Sequence, residues 1–134
     1  VSFVCEFCEG LEKIELLNLQ KIKSISIISI GKEHVKIRAP TLEHFSYSDY
    51  YGFESEKLDD VEFHNLKALE LKYARISYRV LYKLISTSQS LKVLKIHNCE
   101  VLREIGSSNL ESFEYIGDQI PQFIKAIEAL KNRY

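Results

Sequence analysis

Methionine is missing from this chain of 134 residues, proline occurs twice and glycine five times. So small a supply of Pro and Gly leaves no low-complexity linker and no obvious boundary, and residues 1–134 read as a single domain. No uninterrupted apolar run reaches the ~18 residues of a membrane-spanning helix, so no membrane partner is expected. A net charge of −1, from 18 basic and 19 acidic side chains, lacks the basic excess of a nucleic-acid scaffold. The opening VSFVCEFCEG carries two glutamates and no basic start, unlike a signal peptide. Three cysteines, an odd count, argue against a disulfide framework and for reduced thiols in a cytosolic or nuclear setting. A chain that opens on Val1 without methionine suits a segment cut from a longer polypeptide, and equally one whose initiator was removed.

What the chain does have is repetition. PTLEHFSYSDY and SNLESFEYIGD place Leu, Phe and Tyr alike, at Leu42, Phe45, Tyr47 and at Leu110, Phe113, Tyr115. The same first, fourth and sixth places are apolar at Leu11, Ile14, Leu16; at Ile22, Ile25, Ile27; at Leu66, Leu69, Leu71; and at Leu91, Leu94, Ile96. Places four and six point to one side of a short strand, because side chains alternate with period two, and place one anchors the turn before it. A strand this short cannot bury its apolar edge alone and must stack on the next copy. From Leu42 onward the spacings fall in or near the ~20–29 residues of a leucine-rich repeat, whose ninth place is Asn or Cys. Cys99 fills that place, whereas Leu19, Tyr50, Ala74 and Asp118 do not.

The spacers carry the return path. SYRVLYKLISTSQS puts Val80, Leu81, Leu84 and Ile85 on one helical face, and its Ser-Thr-Ser-Gln-Ser run ends the helix. Residues 4–19 laid over 84–99 place Val1, Val4, Cys5 and Cys8 on the same helical face, so the chain is expected to begin inside a helix. HVKI within GKEHVKIRAP reads as a minor strand. A C-terminal helix is expected at about 119–132, with Asp118 as N-cap and Pro121 in its first turn. The fold class expected is α/β: an irregular leucine-rich-repeat solenoid with a curved parallel sheet, helices and short connections on the convex side, and no caps. Such a piece alone is expected to be marginally stable or prone to aggregate.

Chemistry is harder to find. Cys5 and Cys8 have the spacing of a zinc or redox pair, but no second Cys pair or close His pair completes a zinc site, and Cys5 reads as packing where Ile85 packs. The sequence holds no nucleophile elbow, phosphate loop or H-E-x-x-H, so no enzyme, metal or cofactor is expected. Glu54, Glu56, Asp59 and Asp60 lack EF-hand spacing and read as a solvated loop. Tyr47, Tyr50, Tyr51, Tyr73, Tyr78 and Tyr82 lack the interleaved Lys and Arg of a base-stacking platform and read as core and rim aromatics.

The outward strand places, three, five and seven, remain as the expected concave surface. They hold Lys13, Glu15 and Leu17; His44, Ser46 and Ser48; Ala68, Glu70 and Lys72; Val93, Lys95 and His97; and Ser112, Glu114 and Ile116. Mixed charge with scattered apolar residues suits a protein or peptide partner. The candidate contacts are Lys13, Glu15, His44, Glu70, Lys72, Val93, Lys95, His97 and Glu114.

In VKIRAPTLEHFSYSD, SSNLESFEYIGD and LKVLKIHNCEVLREI the chain resembles the leucine-rich-repeat region of plant F-box/LRR proteins over roughly residues 1–118. It departs at Ser107-Ser108, where that phrase ordinarily has Ala-Pro or Ser-Pro. The resemblance implies a non-enzymatic module that recruits a substrate to a cullin-type ubiquitin ligase, the ligase adaptor being bound through an F-box not encoded in these residues. LKVLKIHNCEVLREI would also suit the repeat region of a plant intracellular nucleotide-binding immune receptor, and an orphan repeat scaffold is the third reading.

Overall fold

The structure, a computed structural model, describes residues 2–6, 13–17, 20–29, 34–50, 58, 60–88, 90–102 and 107–116. The chain alternates between two sheets. Strands β1 (Ser2–Glu6), β3 (Ser24–Ser29), β5 (His44–Asp49), β7 (Ala68–Lys72) and β9 (Val93–Leu102) run parallel and side by side in a large sheet. Between them in sequence, β2 (Lys13–Leu16), β4 (His34–Arg38) and β6 (Asp60–Glu62) form a small parallel sheet. Helix α1 (Tyr78–Ser86) fills the corresponding stretch between β7 and β9. The result is a solenoid-like coil of mostly parallel strands with one short helix.

The repeat seen in the sequence is the rung of the large sheet. Ile25, Phe45, Leu69 and Leu94 are consecutive register partners, as are Ile27, Tyr47, Leu71 and Ile96. All eight are buried, and so are the place-one anchors Ile22, Leu42, Leu66 and Leu91. The strand entrances repeat as well. The Lys23 carbonyl accepts from the amides of Glu43 and His44 (2.9 and 3.0 Å), that of Glu43 from Lys67 and Ala68 (2.7 and 3.0 Å), and that of Lys67 from Lys92 and Val93 (2.9 and 3.1 Å). From the opposite side the core is closed by Val35, Ile37, Val61 and Phe63 of the small sheet and its flank. The rings of Phe45 and Phe63, 4.9 Å apart and tilted by 48°, join the two sheets.

Helix α1 forms as its spacing predicts. Ser77 caps it by accepting from the Val80 amide at 3.1 Å, and Leu81, Leu84 and Ile85 are buried while Val80 is half-buried. It ends at Ser86, within the Ser-Thr run, where the Thr87 hydroxyl donates to the Lys83 carbonyl at 2.7 Å. The expected minor strand at HVKI is β4.

Four expectations are corrected. Residues 2–6 are not helical: Phe3 and Cys5 alternate with Ser2 and Val4 and pair with Ile25 and Ile27, so they fill places four and six of the first rung. Consequently Cys5 packs as a strand residue and not where Ile85 packs. Ile14 and Leu16, expected in that rung, lie on β2 in the small sheet. Both sheets have an inward side, and period-two spacing names the side without naming the sheet. Next, β10 (Ser107–Ile116) joins β9 antiparallel, with Phe113 opposite Ile96 and Tyr115 opposite Leu94. β9 runs on to Leu102, and the few residues left before Ser107 allow a hairpin but not the dozen or more that a parallel crossover requires. Finally, the thiols are not all reduced: Cys5 is disulfide-bonded, while Cys99 is free and buried. A disulfide sulfur offers no thiolate to zinc, and a disulfide takes two cysteines out of the argument from reduced thiols to a cytosolic or nuclear setting. The expected C-terminal helix, Cys8 and the Asp118 cap lie outside the described residues. No helix among the described residues is long and apolar enough to cross a membrane.

Candidate functional site

The outward face of the large sheet holds a depression of about 270 Å³. Its floor is made by rung places three and five, chiefly Ser24, Ser26, His44, Ser46 and Ala68, with Glu70, Val93 and Lys95 on one side. Short side chains on β3 and β5 set the backbone close to the surface there, while longer ones on β7 and β9 stand above it. Register rows explain the layout: Ser26 and Ser46 are neighbours, then Ser46 and Glu70, then Glu70 and Lys95, and Lys95 has Glu114 of β10 as its register partner.

Seven of the nine sequence-expected contacts thus belong to one sheet: His44, Glu70, Lys72, Val93, Lys95, His97 and Glu114. Lys13 and Glu15 do not join them, because β2 belongs to the small sheet. Ser48, expected on the surface, is only 6% exposed, flanked in register by the longer Ile28 and Lys72. Ser24 and Ser26 were missing from the expected surface. Places three and five of KIKSISI were enough to find them.

One pair of charges on this face is mutually satisfied. Lys72 Nζ lies 3.0 Å from Glu70 Oε1, and that hydrogen bond, with the carboxylate charge, pushes the Lys72 ammonium pKa up. Among the described residues Lys95 forms no ion pair.

At the strand ends beyond Lys72 the rings of Tyr50 and Tyr73 pack 5.2 Å apart, tilted by 36°. They remain 54% and 43% exposed, the rim position expected of them. Tyr73 sits in the left-handed region at φ 56°, and its rung equivalent Asn98 at φ 50°. Asn tolerates that conformation, whereas for a bulky tyrosine it costs on the order of 1–3 kcal/mol. The two bends let β8 (Arg75–Ser77) resume pairing with the far half of β9, Arg75 beside Glu100 and Ser77 beside Leu102. The Tyr73 amide donates to the His97 carbonyl at 3.0 Å, locking one bend onto the next coil.

Cys99, at place nine, lies 3.5 Å from the Leu71 carbonyl of the preceding coil and 3.4 Å from that of His97. Burial pushes its thiol pKa up, so it is a packed link between coils and a poor nucleophile.

The outward face of the small sheet is built differently. Arg38 bonds Asp60 through Nη2 and Glu62 through Nε at 3.0 Å, and its Nη1 donates to the Asp60 carbonyl at 3.2 Å. Lys36 Nζ approaches the other Asp60 oxygen at 3.6 Å, and His64 Nε2 lies 3.7 Å from Glu62. Asp60 therefore belongs to a paired strand, not the solvated loop expected of it, and the Arg38 guanidinium holds its carboxyl pKa below the usual value. Glu54, Glu56 and Asp59 lie outside the described residues. Among the described residues no three His, Cys, Asp or Glu side chains cluster as metal ligands would.

No protein family matches the chain, and neither does any curated protein or any solved structure.

Proposed function

We propose that this chain is a non-enzymatic recognition module that holds a protein or peptide partner on the outward face of its large sheet. The observation that carries the reading is the depression across β3, β5, β7 and β9, where small floor residues and mixed charges lie on one continuous face. A face of this kind presents side chains from several coils to one extended partner. The repeat spacing, the buried Cys99 reaching the preceding coil, and the shift from strand to helix between β7 and β9 support a leucine-rich-repeat solenoid. On the resemblance of its rungs to F-box/LRR proteins, the finer reading is the substrate-binding region of a ubiquitin-ligase receptor, in a cytoplasmic or nuclear setting. The adaptor of the ligase would then be contacted by an F-box and not by these residues.

Two experiments test the two levels. Ser46→Arg, which fills the floor, should abolish partner capture while Lys36→Ala on the small sheet leaves it intact; equal effects of the two would sink the face assignment. Reading the coding sequence upstream of Val1 tests the finer level: an F-box there supports it, and a phosphate-binding loop would replace it with the immune-receptor reading.

A further inference from the structure

The central strands of this face carry an uneven set of charges. Lys72 and Lys95 stand there with His44 and His97, and the carboxylates are already held: Glu70 by Lys72 at 3.0 Å and Glu100 by Arg75 at 3.5 Å. Glu114 of β10 is the register partner of Lys95. Lys95 thus stands over the depression as a cation with no ion pair among the described residues. Beside this charge lies an apolar foothold, the exposed Tyr50–Tyr73 pair, with one ring on a left-handed residue that the fold would accommodate better as glycine. Strain retained at an exposed aromatic is the kind of local disfavour that accompanies ligand contact.

We propose that the face takes a linear acidic peptide, with one carboxylate at Lys95 and an aromatic or large aliphatic side chain on the Tyr50–Tyr73 pair. This rests on the recognition reading above and names the partner's chemistry. The small floor residues Ser24, Ser26 and Ser46 let a peptide backbone approach, and their hydroxyls can bond its amides and carbonyls. Spacing follows from register. Lys95 is beside Glu70, three residues before Tyr73, so the two anchor points are about 11 Å apart, from ~3.3 Å per residue along the strand and ~4.8 Å across. An extended peptide, whose side chains alternate between its two sides, bridges that with its carboxylate and apolar residue four positions apart. A phosphate backbone fits less well, because it draws affinity from many cations at once and here meets Glu70 in their midst.

The test is selection of random twelve-residue displayed peptides on the full chain, followed by fluorescence anisotropy of the enriched peptide on variants. The expected result is Asp or Glu enriched four residues from an aromatic or leucine, with binding weakened roughly tenfold or more by Lys95→Glu. Tyr73→Gly should weaken the same peptide while raising the thermal midpoint, a split that a merely structural tyrosine would not give. Enrichment of basic or uncharged peptides that Ser46→Arg still blocks would overturn the acidic assignment and leave the face reading standing. No enrichment, or binding indifferent to Ser46→Arg, would remove both. A single-stranded oligonucleotide bound more tightly than the peptide and released by Lys95→Glu would replace the peptide with nucleic acid.

Discussion

The two sheets enclose one core yet treat their outer surfaces in opposite ways. On the small sheet, β4 and β6 spend their outward charges on each other, Lys36 and Arg38 against Asp60 and Glu62. On the large sheet Glu70 pairs with Lys72 and Arg75 with Glu100, serines take many of the outward places, and among the described residues Lys95 is left without an ion pair. A surface whose charges are internally matched gains nothing from a partner and must lose its own contacts to bind one. A surface with an unmatched charge and small floor residues has much less to give up. The proposed recognition role therefore rests on what each face has left unsatisfied, not on how polar it is.

Substitutions can break this comparison or sharpen it. The largest effect should come from the shared core: Leu94→Asp places an unpaired charge where both sheets meet and should abolish the cooperative thermal transition seen by circular dichroism. A soluble, folded variant would show that the rung register is wrong. Phe63→Ala removes the ring that packs on Phe45 and should lower unfolding free energy by about 3–5 kcal/mol in urea titration. Ser88 is fully buried and its hydroxyl finds no partner among the described residues, so Ser88→Ala should raise stability by roughly 1 kcal/mol. Smallest is the acid response. Asp60 and Glu43 have folded pKa values below their unfolded ones, through Arg38 and Lys67 respectively. Their stabilisation is complete above the unfolded values near 4 and disappears as pH falls through the folded values. The urea midpoint should drop below pH 4, less steeply in Arg38→Met and less steeply in high salt, because these groups are exposed. An unchanged slope in Arg38→Met would mean the small-sheet pairs contribute nothing measurable.

How far the chain could be read in advance differed between the same two sheets. The rungs at Ile22, Leu42, Leu66 and Leu91 were legible because each combines an anchor with two inward residues, and register then aligns them across four strands. The small sheet was only half visible. HVKI alternates cleanly, but DVE is three residues long inside an acidic run, and its pairing with Arg38 depends on a neighbour more than twenty residues away. LEKIEL misled because its spacing is that of a rung although it serves the other sheet. Of the candidate surface, the places of His44, Glu70, Lys72, Val93, Lys95 and His97 on β5, β7 and β9 followed from rung parity. The tyrosine pair did not: Tyr50 and Tyr73 occupy different rung places and meet only because the backbone turns left-handed at Tyr73.

The repeated carbonyl forks at Lys23, Glu43 and Lys67 bear on how such a chain can change over generations. At each fork one coil receives the next through the same backbone atoms, to which side chains such as Thr41 and the Glu43–Lys67 pair add their own links, so the backbone part of the junction is interchangeable. Removing a whole coil, from one fork to the next, would leave a closed ladder and a shorter face. Removing a single residue within β5 would turn His44 inward and Phe45 outward along that strand. Length in this molecule should therefore drift in whole turns, and a lineage could gain or shed binding surface in units of one rung.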